Sequence, residues 1–369
     1  MVSKLQSATS LLRLLVPAGA LAFYGVIQFL GSNAPGAEPE LVISLLILPV
    51  LLATVIAAVF HAEKIAHETG EPYGTLVLTI AVTIIEVALI MSITLSGKGD
   101  PALARDTVFS VIMIVCNGIV GLCVLAGGIQ YREQDFEVRG ASAYLAVLTA
   151  LSVLTLVLPN FTHTSSGPTL SSAQLLFVSI VTLLLYGVFL YIQTVRHQEF
   201  FTEVGADPDD FPPSMGNGWS ALRTPAVLLI ASLLAVVLLS KTFAASVKTG
   251  LAYAGAPPAL SGFLVALLIL LPESVAAFRA TRMNEFQRSI NLALGSSLAT
   301  IGLTVPAVAG ITLYFGQNLV LGLDNQAMVL LFVTLLISTF TFGTGRSNIL
   351  YGFVHLIIFA TYIFLIFEP

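Results

Sequence analysis

The chain has 369 residues, of which 57% are hydrophobic and only 9% are charged, whereas a typical soluble domain carries about 25% charged residues. Most of its surface therefore cannot face water, which excludes an ordinary soluble protein. The formal net charge of −5 comes from few residues, so their positions along the chain matter more than their sum.

The hydrophobic residues are grouped in runs of about 20, the length that a helix needs to cross the hydrocarbon core at about 1.5 Å per residue. Eleven such runs predict an all-α polytopic membrane protein with about eleven transmembrane helices. In chain order they span residues 11–31, 41–60, 74–95, 107–128, 141–159, 172–195, 222–240, 251–278, 288–314, 326–343 and 347–367. We interpret the first run as a membrane span rather than a cleaved signal peptide.

The cationic residues predict the orientation of these spans. If the N-terminus is cytoplasmic, eleven of the fifteen Lys and Arg residues lie inside and four lie outside. The four outside residues are Lys98, Arg105, Lys241 and Lys248. Because cytoplasmic connectors are enriched in Lys and Arg, we expect a cytoplasmic N-terminus and an external C-terminus.

A connector rich in acidic residues and proline, residues 196–221, divides the chain. We interpret it as a cytoplasmic linker between two five-helix repeats at 40–195 and 222–369, preceded by an N-terminal span and connector at 1–39. Two successive five-span segments have opposite orientations, which is the arrangement of an inverted-topology repeat in secondary transporters. The linker is either simply solvated or recruits cations as a regulator.

Two carboxylates occur inside the predicted spans. Glu86 lies in GTLVLTIAVTIIEVALIMS and Glu273 lies in GFLVALLILLPESVAAF. A carboxylate at bilayer depth costs at least ~2.5 kcal/mol, so it is expected to face the protein interior, a cavity or a cation. The acids occupy the second span of each half, and a repeat would bring them together near the midplane. Taken singly, either acid could instead be a protonated interior residue.

Small and polar residues follow each acid in the next span. Asn117 precedes Gly121, while Ser296 and Ser297 precede Gly302, which can be aligned with Gly121. Small residues let helices approach closely, and Asn and Ser side chains supply neutral oxygen ligands. Close packing alone is the alternative interpretation of any single one of these residues.

Carboxylates and neutral oxygens together suit a hard cation such as Ca²⁺ or Na⁺. Pro272 and Pro306 interrupt the same apolar helices, where freed carbonyls can add ligands. When the cation leaves, the carboxylates can take up protons, which is the chemical requirement of an antiporter. No ATP-binding loop is visible, and we expect no cofactor, no nucleic-acid partner and no enzymatic activity. His355 in the last span is either an interior-packed residue or a proton relay.

Three segments resemble a known family. GEPYGTLVLTIAVTIIEVALIMS, ARDTVFSVIMIVCNGIVGLCVLAGG and LLPESVAAFRATRMNEFQRSINLALGSSLATIGLTVPAVAG are similar to the bacterial ChaA-type calcium(sodium)/proton antiporters of the cation/calcium exchanger superfamily. The resemblance covers nearly the whole chain. It implies one extra N-terminal span, two inverted five-helix repeats, a place in the bacterial inner membrane, and cation export coupled to inward proton movement.

The resemblance also implies roles for individual residues. Glu86 and Glu273 match the two central repeat acids that bind the metal ion. Ser296 and Ser297 match the Gly-Ser-Ser turn of the second repeat, and Asn117 matches the Asn near the corresponding turn of the first. These residues are the candidate cation- and proton-binding set.

This chain departs from the family at two positions. Many exchangers carry Asn three residues before each acid, where this chain has Thr83 and Leu270. Thr83 can still offer an oxygen to a cation, whereas Leu270 cannot, which affects coordination number and ion choice. We predict a Ca²⁺/proton antiporter with Na⁺ and K⁺ as further or alternative substrates. An intramembrane enzyme and a channel or receptor are the alternatives from other classes, and the oligomeric state is left open.

Overall fold

The computed structural model describes residues 15–29, 39–69, 73–94, 101–202 and 218–368. These residues form eleven helices joined by connectors, and none of them belongs to a β-strand. In chain order the helices are α1 (Leu15–Phe29), α2 (Pro39–Thr69), α3 (Tyr73–Thr94), α4 (Leu103–Tyr131), α5 (Val138–Phe161), α6 (Ser172–Arg196), α7 (Gly218–Ala254), α8 (Ala259–Arg282), α9 (Phe286–Phe315), α10 (Asn325–Phe342) and α11 (Ile349–Phe367).

The helices have the length and composition of membrane spans. Ten of those described, α2 to α11, are long and apolar enough to cross a bilayer. The apolar helix α1 is shorter, and the predicted first span, 11–31, begins and ends outside the described residues. The predicted all-α polytopic membrane fold is therefore confirmed.

The largest error among the predicted helix boundaries lies between α7 and α8. The sequence predicted spans at 222–240 and 251–278 with Lys241 and Lys248 between them, but α7 continues unbroken to Ala254. The turn instead occupies residues 255–258, where Gly255 has a φ of +62° and two prolines follow. Because a positive φ favours glycine and proline cannot continue a helix, the helix ends at this point. Lys241 and Lys248 therefore lie within α7 and not in a connector.

The helices form two compact units. The first unit consists of α1, α2, α3 and α7, and within it α2, α3 and α7 pack against one another. The contacts are apolar: Leu51 and Ala58 of α2, Leu89 of α3 and Leu239 of α7 are completely buried. These apolar neighbours set the environment of any polar side chain on α3.

The second unit consists of α4 to α6 and α8 to α11. Within it α4 and α8 run parallel. A Cβ on Gly262, near the start of α8, would lie 2.8 Å from the backbone of Asp106. One on Gly127, near the end of α4, would meet the Gln134 side chain first and would lie 3.2 Å from Thr281 of α8. The two glycines therefore let the helices approach closely at both ends.

The connectors of the second unit meet on two opposite faces. On one face Phe136 N donates to Gly345 O (3.1 Å) and Ser347 N donates to Gln134 O (2.9 Å), so the α4–α5 and α10–α11 connectors pair. On the other face Val320 N donates to Pro101 O (3.1 Å). This arrangement fixes which helix ends share a side of the bilayer.

The arginines of the second unit are divided unequally between these faces. The face of the α4–α5 connector, here called the arginine face, carries Arg132, Arg139, Arg196, Arg279, Arg282, Arg288 and Arg346. The opposite face carries Arg105. This unequal distribution agrees with the topology predicted from the sequence, in which one side of the membrane carries most of the Lys and Arg residues.

Four helices of the second unit contain π-helical segments. Those of α5 and α6 lie towards the C-terminal ends, at Val153–Val157 and Ile192–Arg196. Those of α4 and α9 lie in mid-helix, at Ile114–Ile119 and Thr300–Thr304. Mid-helix π segments occur frequently at functional sites. The segment of α4 contains Asn117, and the segment of α9 contains Gly302 and begins three residues after Ser297.

Candidate cation site

Glu86 lies within α3 in the first unit. It is completely buried, as are its neighbours Ile85 and Leu89, and it is the only charged residue among the 22 residues of α3. Thr83 lies on the same side of the helix, because residues three apart are neighbours on a helix surface. Its hydroxyl donates to Thr79 O (2.8 Å), so the lone pairs of the Thr83 oxygen remain available as acceptors.

Buried hydroxyl groups on the helices around α3 are mostly engaged with their own backbones. Thr54 on α2 donates to Val50 O (2.7 Å), and Ser232 on α7 donates to Leu228 O (2.8 Å). Such back-bonding satisfies a hydroxyl within an apolar helix bundle. Among the described residues of the first unit, Glu86 is therefore the one buried side chain that can offer a negatively charged oxygen to a cation.

Glu273 lies in α8, directly after Pro272. Proline has no N–H, so the carbonyl of Leu268 lacks its usual donor four residues later, and this carbonyl lies on the turn preceding Glu273. The side chain of Glu273 is half-buried, with Oε2 shielded from solvent. A carboxylate and a freed carbonyl therefore occur within about one turn of the same helix.

Ser296 and Ser297 lie in α9, one turn before its π-helical segment. Ser297 is completely buried, and its hydroxyl makes no hydrogen bond with any residue that the structure describes. Ser296 is half-buried. An unsatisfied buried hydroxyl is costly, and binding of a cation by the Ser297 oxygen would offset that cost.

Asn117 lies inside the π-helical segment of α4 and is completely buried. Its Nδ2 donates to Thr334 Oγ1 of α10 (2.8 Å), and its Oδ1 lies 3.0 Å from His355 Nδ1 of α11. An amide oxygen only accepts, so His355 donates in this contact. The other ring nitrogen of His355 lies 2.9 Å from Thr341 Oγ1. Asn117 therefore joins three helices, and one lone pair of its oxygen remains for a cation.

Sequence reasoning missed the partners of Asn117. His355 was recognised as an unusual residue, but its contact with Asn117 joins residues 238 positions apart. A weaker signal was present in α10, where Thr334, Ser338 and Thr341 recur at helical spacing within an apolar run. All three are buried, and such a polar stripe indicates a face directed to a polar interior.

The structure groups the candidate residues by unit. Glu86 and Thr83 belong to the first unit, and Glu273, Asn117, Ser296 and Ser297 belong to the second. In the second unit the π-helical segment of α4 contacts both α8 and the first part of α9, which are the helices of the other three residues. The pairing of Glu86 with Glu273 stays a prediction.

Clusters of strong metal ligands are absent from the described residues: no group of three or more His, Cys, Asp or Glu side chains is placed to hold a metal ion. The candidate ligands among the described residues are therefore the single carboxylates of Glu86 and Glu273 together with hydroxyl and amide oxygens.

Comparison with known proteins identifies the family. A family profile described as "Sodium/calcium exchanger protein" matches residues 40–195 and 224–368. The "Sodium-potassium/proton antiporter ChaA" of Escherichia coli is 40% identical over 345 residues, 93% of each chain. The "Putative ionic transporter y4hA" of Sinorhizobium fredii is 43% identical over 331 residues, 89% of each chain.

The chain is also similar to a more distant relative and, in fold, to a solved structure. The "Ca(2+)/H(+) antiporter" of Aphanothece halophytica is 25% identical over 323 residues, 82% of each chain. The structure described as "Structure of native YfkE" matches with a TM-score of 0.72 at 17% identity, covering 97% of this chain and 100% of the other, so the likeness is one of fold. The chain therefore belongs to the sodium/calcium exchanger protein family.

Proposed function

We propose that the chain is a secondary-active antiporter that exports Ca²⁺ in exchange for protons, with Na⁺ and K⁺ as further or alternative substrates. The observation that carries this proposal is the complete burial of Glu86 in an otherwise uncharged span. An ionised carboxylate at that depth is costly, so a bound cation or a proton would stabilise this residue. The two ligands then exclude one another, which couples their movements.

The proposed cycle uses both central acids. Glu86 and Glu273 would bind the cation together in the state open to the cytoplasm, supported by neutral oxygens from Ser296, Ser297 and Asn117. After the protein opens to the outside, protons replace the cation on the carboxylates, and the protonated form returns. The inward proton gradient supplies the free energy for cation export.

The proposed setting is the cytoplasmic membrane of a bacterium, with the N-terminus inside and the C-terminus outside. The unequal distribution of arginines in the second unit supports this orientation, because cytoplasmic connectors are enriched in Arg and Lys. The arginine face would then be cytoplasmic, together with the linker 196–221. The two segments matched by the family profile coincide closely with the proposed repeats, 40–195 and 222–369.

Ion choice follows from the neutral ligands and from the relatives. One relative is named a sodium-potassium/proton antiporter and another a Ca²⁺/H⁺ antiporter. The proposed site offers Thr83 where an amide is common in the family, and Leu270 offers no oxygen at the equivalent position. We expect fewer protein ligands than a dedicated Ca²⁺ site provides, and therefore exchange of monovalent cations as well.

The experiment is proton flux in everted membrane vesicles after addition of Ca²⁺, Na⁺ or K⁺. Glu86→Gln and Glu273→Gln keep side-chain size but remove the charge, so each is expected to abolish exchange with all three cations. Glu368→Gln, at an exposed position beyond α11, is the matched control and should exchange normally. Near-normal flux from either central variant would refute the assignment.

A further inference from the structure

A groove lies between α4 and α8 in the second unit. It has a volume of about 400 Å³, and its apolar walls are formed by Ile119 and Leu122 of α4 and by Val275 and Phe278 of α8. Leu122 and Val275 are 49% and 46% exposed, so the groove opens at the surface of the unit. Walls of this composition accommodate hydrocarbon and offer little to a cation.

Two arginines form the polar end of the groove. Arg279 and Arg282 lie on adjacent turns of α8, and both are exposed. Neither forms an ion pair with any residue that the structure describes. By contrast, Arg288 on the same arginine face lies 2.9 Å from the carboxylate of Glu285. The groove therefore ends in two positive charges that the described protein does not neutralise.

The side chains of Arg279 and Arg282 are not needed as donors to the last carbonyls of α8. Met283 N donates to Arg279 O (3.1 Å), and the hydroxyl of Tyr131 donates to Arg282 O (2.7 Å), so these two carbonyls already have hydrogen-bond partners. The Tyr131 contact joins the end of α4 to the end of α8, the end at which the two arginines lie. Tyrosine at this position is typical of the boundary between lipid tails and headgroups.

We propose that the groove between α4 and α8 binds one anionic phospholipid. The phosphate would lie against Arg279 and Arg282, and an acyl chain would lie along Leu122, Val275 and Phe278. Charge complementarity selects the headgroup, because paired arginines bind phosphate oxygens well. The apolar wall selects a lipid over a soluble anion, and basic pockets between transmembrane helices bind such headgroups.

The test is a titration of the purified full-length protein in detergent with phosphatidylglycerol, with bound lipid counted by native mass spectrometry. The double variant Arg279→Gln/Arg282→Gln is expected to bind phosphatidylglycerol about tenfold more weakly. The matched control Arg288→Gln/Arg346→Gln removes the same charge from the same face at ion-paired positions and should bind normally. Phosphatidylcholine should bind the wild-type chain no more tightly than it binds the double variant.

Equal phosphatidylglycerol affinity for the wild-type chain and the double variant overturns the proposal, as does an equal loss in the control. Leu122→Trp provides a second variant, which fills the apolar part of the groove and keeps both arginines. It should also weaken phosphatidylglycerol binding, and full retention of binding by this variant would count against the groove. The outcome is independent of ion exchange, because Glu86→Gln is expected to bind the lipid normally.

Discussion

The third helices of the two proposed repeats, α4 and α9, share a backbone irregularity but have different neighbours. Both become π-helical in mid-span, and the two glycines that can be aligned in sequence lie in or just after these segments. Gly121 faces α11, where an added Cβ would lie 3.0 Å from His355. Gly302 faces α6, where an added Cβ would lie 2.6 Å from Tyr186.

The different neighbours of α4 and α9 are those expected if a two-fold axis relates the two proposed repeats. Helix α11 is the last helix of the second proposed repeat and α6 is the last of the first, so each third helix packs against the fifth helix of the opposite repeat. A two-fold relation between the repeats would produce this reciprocal pattern. It supports the proposed repeat, and it identifies both glycines as positions of close helix packing.

The polar residues in or near the two π-helical segments differ in whether their oxygen atoms are already engaged in hydrogen bonds. In α4 the amide of Asn117 is engaged at both ends by α10 and α11. In α9 the buried hydroxyl of Ser297 makes no hydrogen bond within the described residues. The comparison therefore favours α9 over α4 as the source of neutral cation ligands.

The largest effect is expected from Gly302→Ala. The new methyl group would meet the Cβ and Cγ atoms of Tyr186 at 2.7 and 2.6 Å, and these atoms cannot move away without shifting α6. Overpacking of this kind costs about 3 kcal/mol, more than the helix propensity that alanine adds. The measurement is the thermal unfolding midpoint of the purified protein in detergent.

Gly310→Ala is the control for this substitution. Gly310 lies in the same helix, and a Cβ there would meet no atom within 4 Å. It should leave the unfolding midpoint unchanged or raise it slightly, since alanine favours the helix. If both variants lost stability equally, the contact between α9 and α6 would not be the cause.

An intermediate effect is expected from Asn117→Ala. The substitution removes the contacts to His355 and Thr334 and leaves both side chains without these partners. Interhelical hydrogen bonds in membranes contribute about 0.6–1.7 kcal/mol each, so a total loss of about 2 kcal/mol is expected, measured as a lower unfolding midpoint. Asn325→Ala, at an exposed site at the start of α10, should be neutral. An unchanged midpoint for Asn117→Ala would show that the network does not hold α4 to α10 and α11.

The features that sequence predicted well are local. Apolar runs predicted the helices because span length is set by bilayer thickness, and Glu86 was noticeable as the only charge in its span. The α7–α8 boundary was misjudged because Lys241 lowers the local hydropathy while the helix continues to the glycine and prolines after Ala254. The contact of Asn117 with His355 joins distant segments, which no periodicity could predict. The proposed approach of Glu86 to Glu273 is of the same long-range kind.

The smallest effect is expected from Gly121→Ala, the counterpart of Gly302→Ala. Its methyl group would lie 3.0 Å from His355 and 3.1 Å from Leu356, and the leucine side chain can adjust by a few tenths of an ångström. A loss of about 1 kcal/mol is expected, which unfolding in detergent would detect as a small decrease in midpoint. Gly118→Ala, with its nearest contact at an ordinary 3.4 Å from Phe359, should be neutral. If Gly121→Ala cost as much as Gly302→Ala, the two packing contacts would be equivalent in tightness, and the asymmetry between α4 and α9 would be confined to their polar residues.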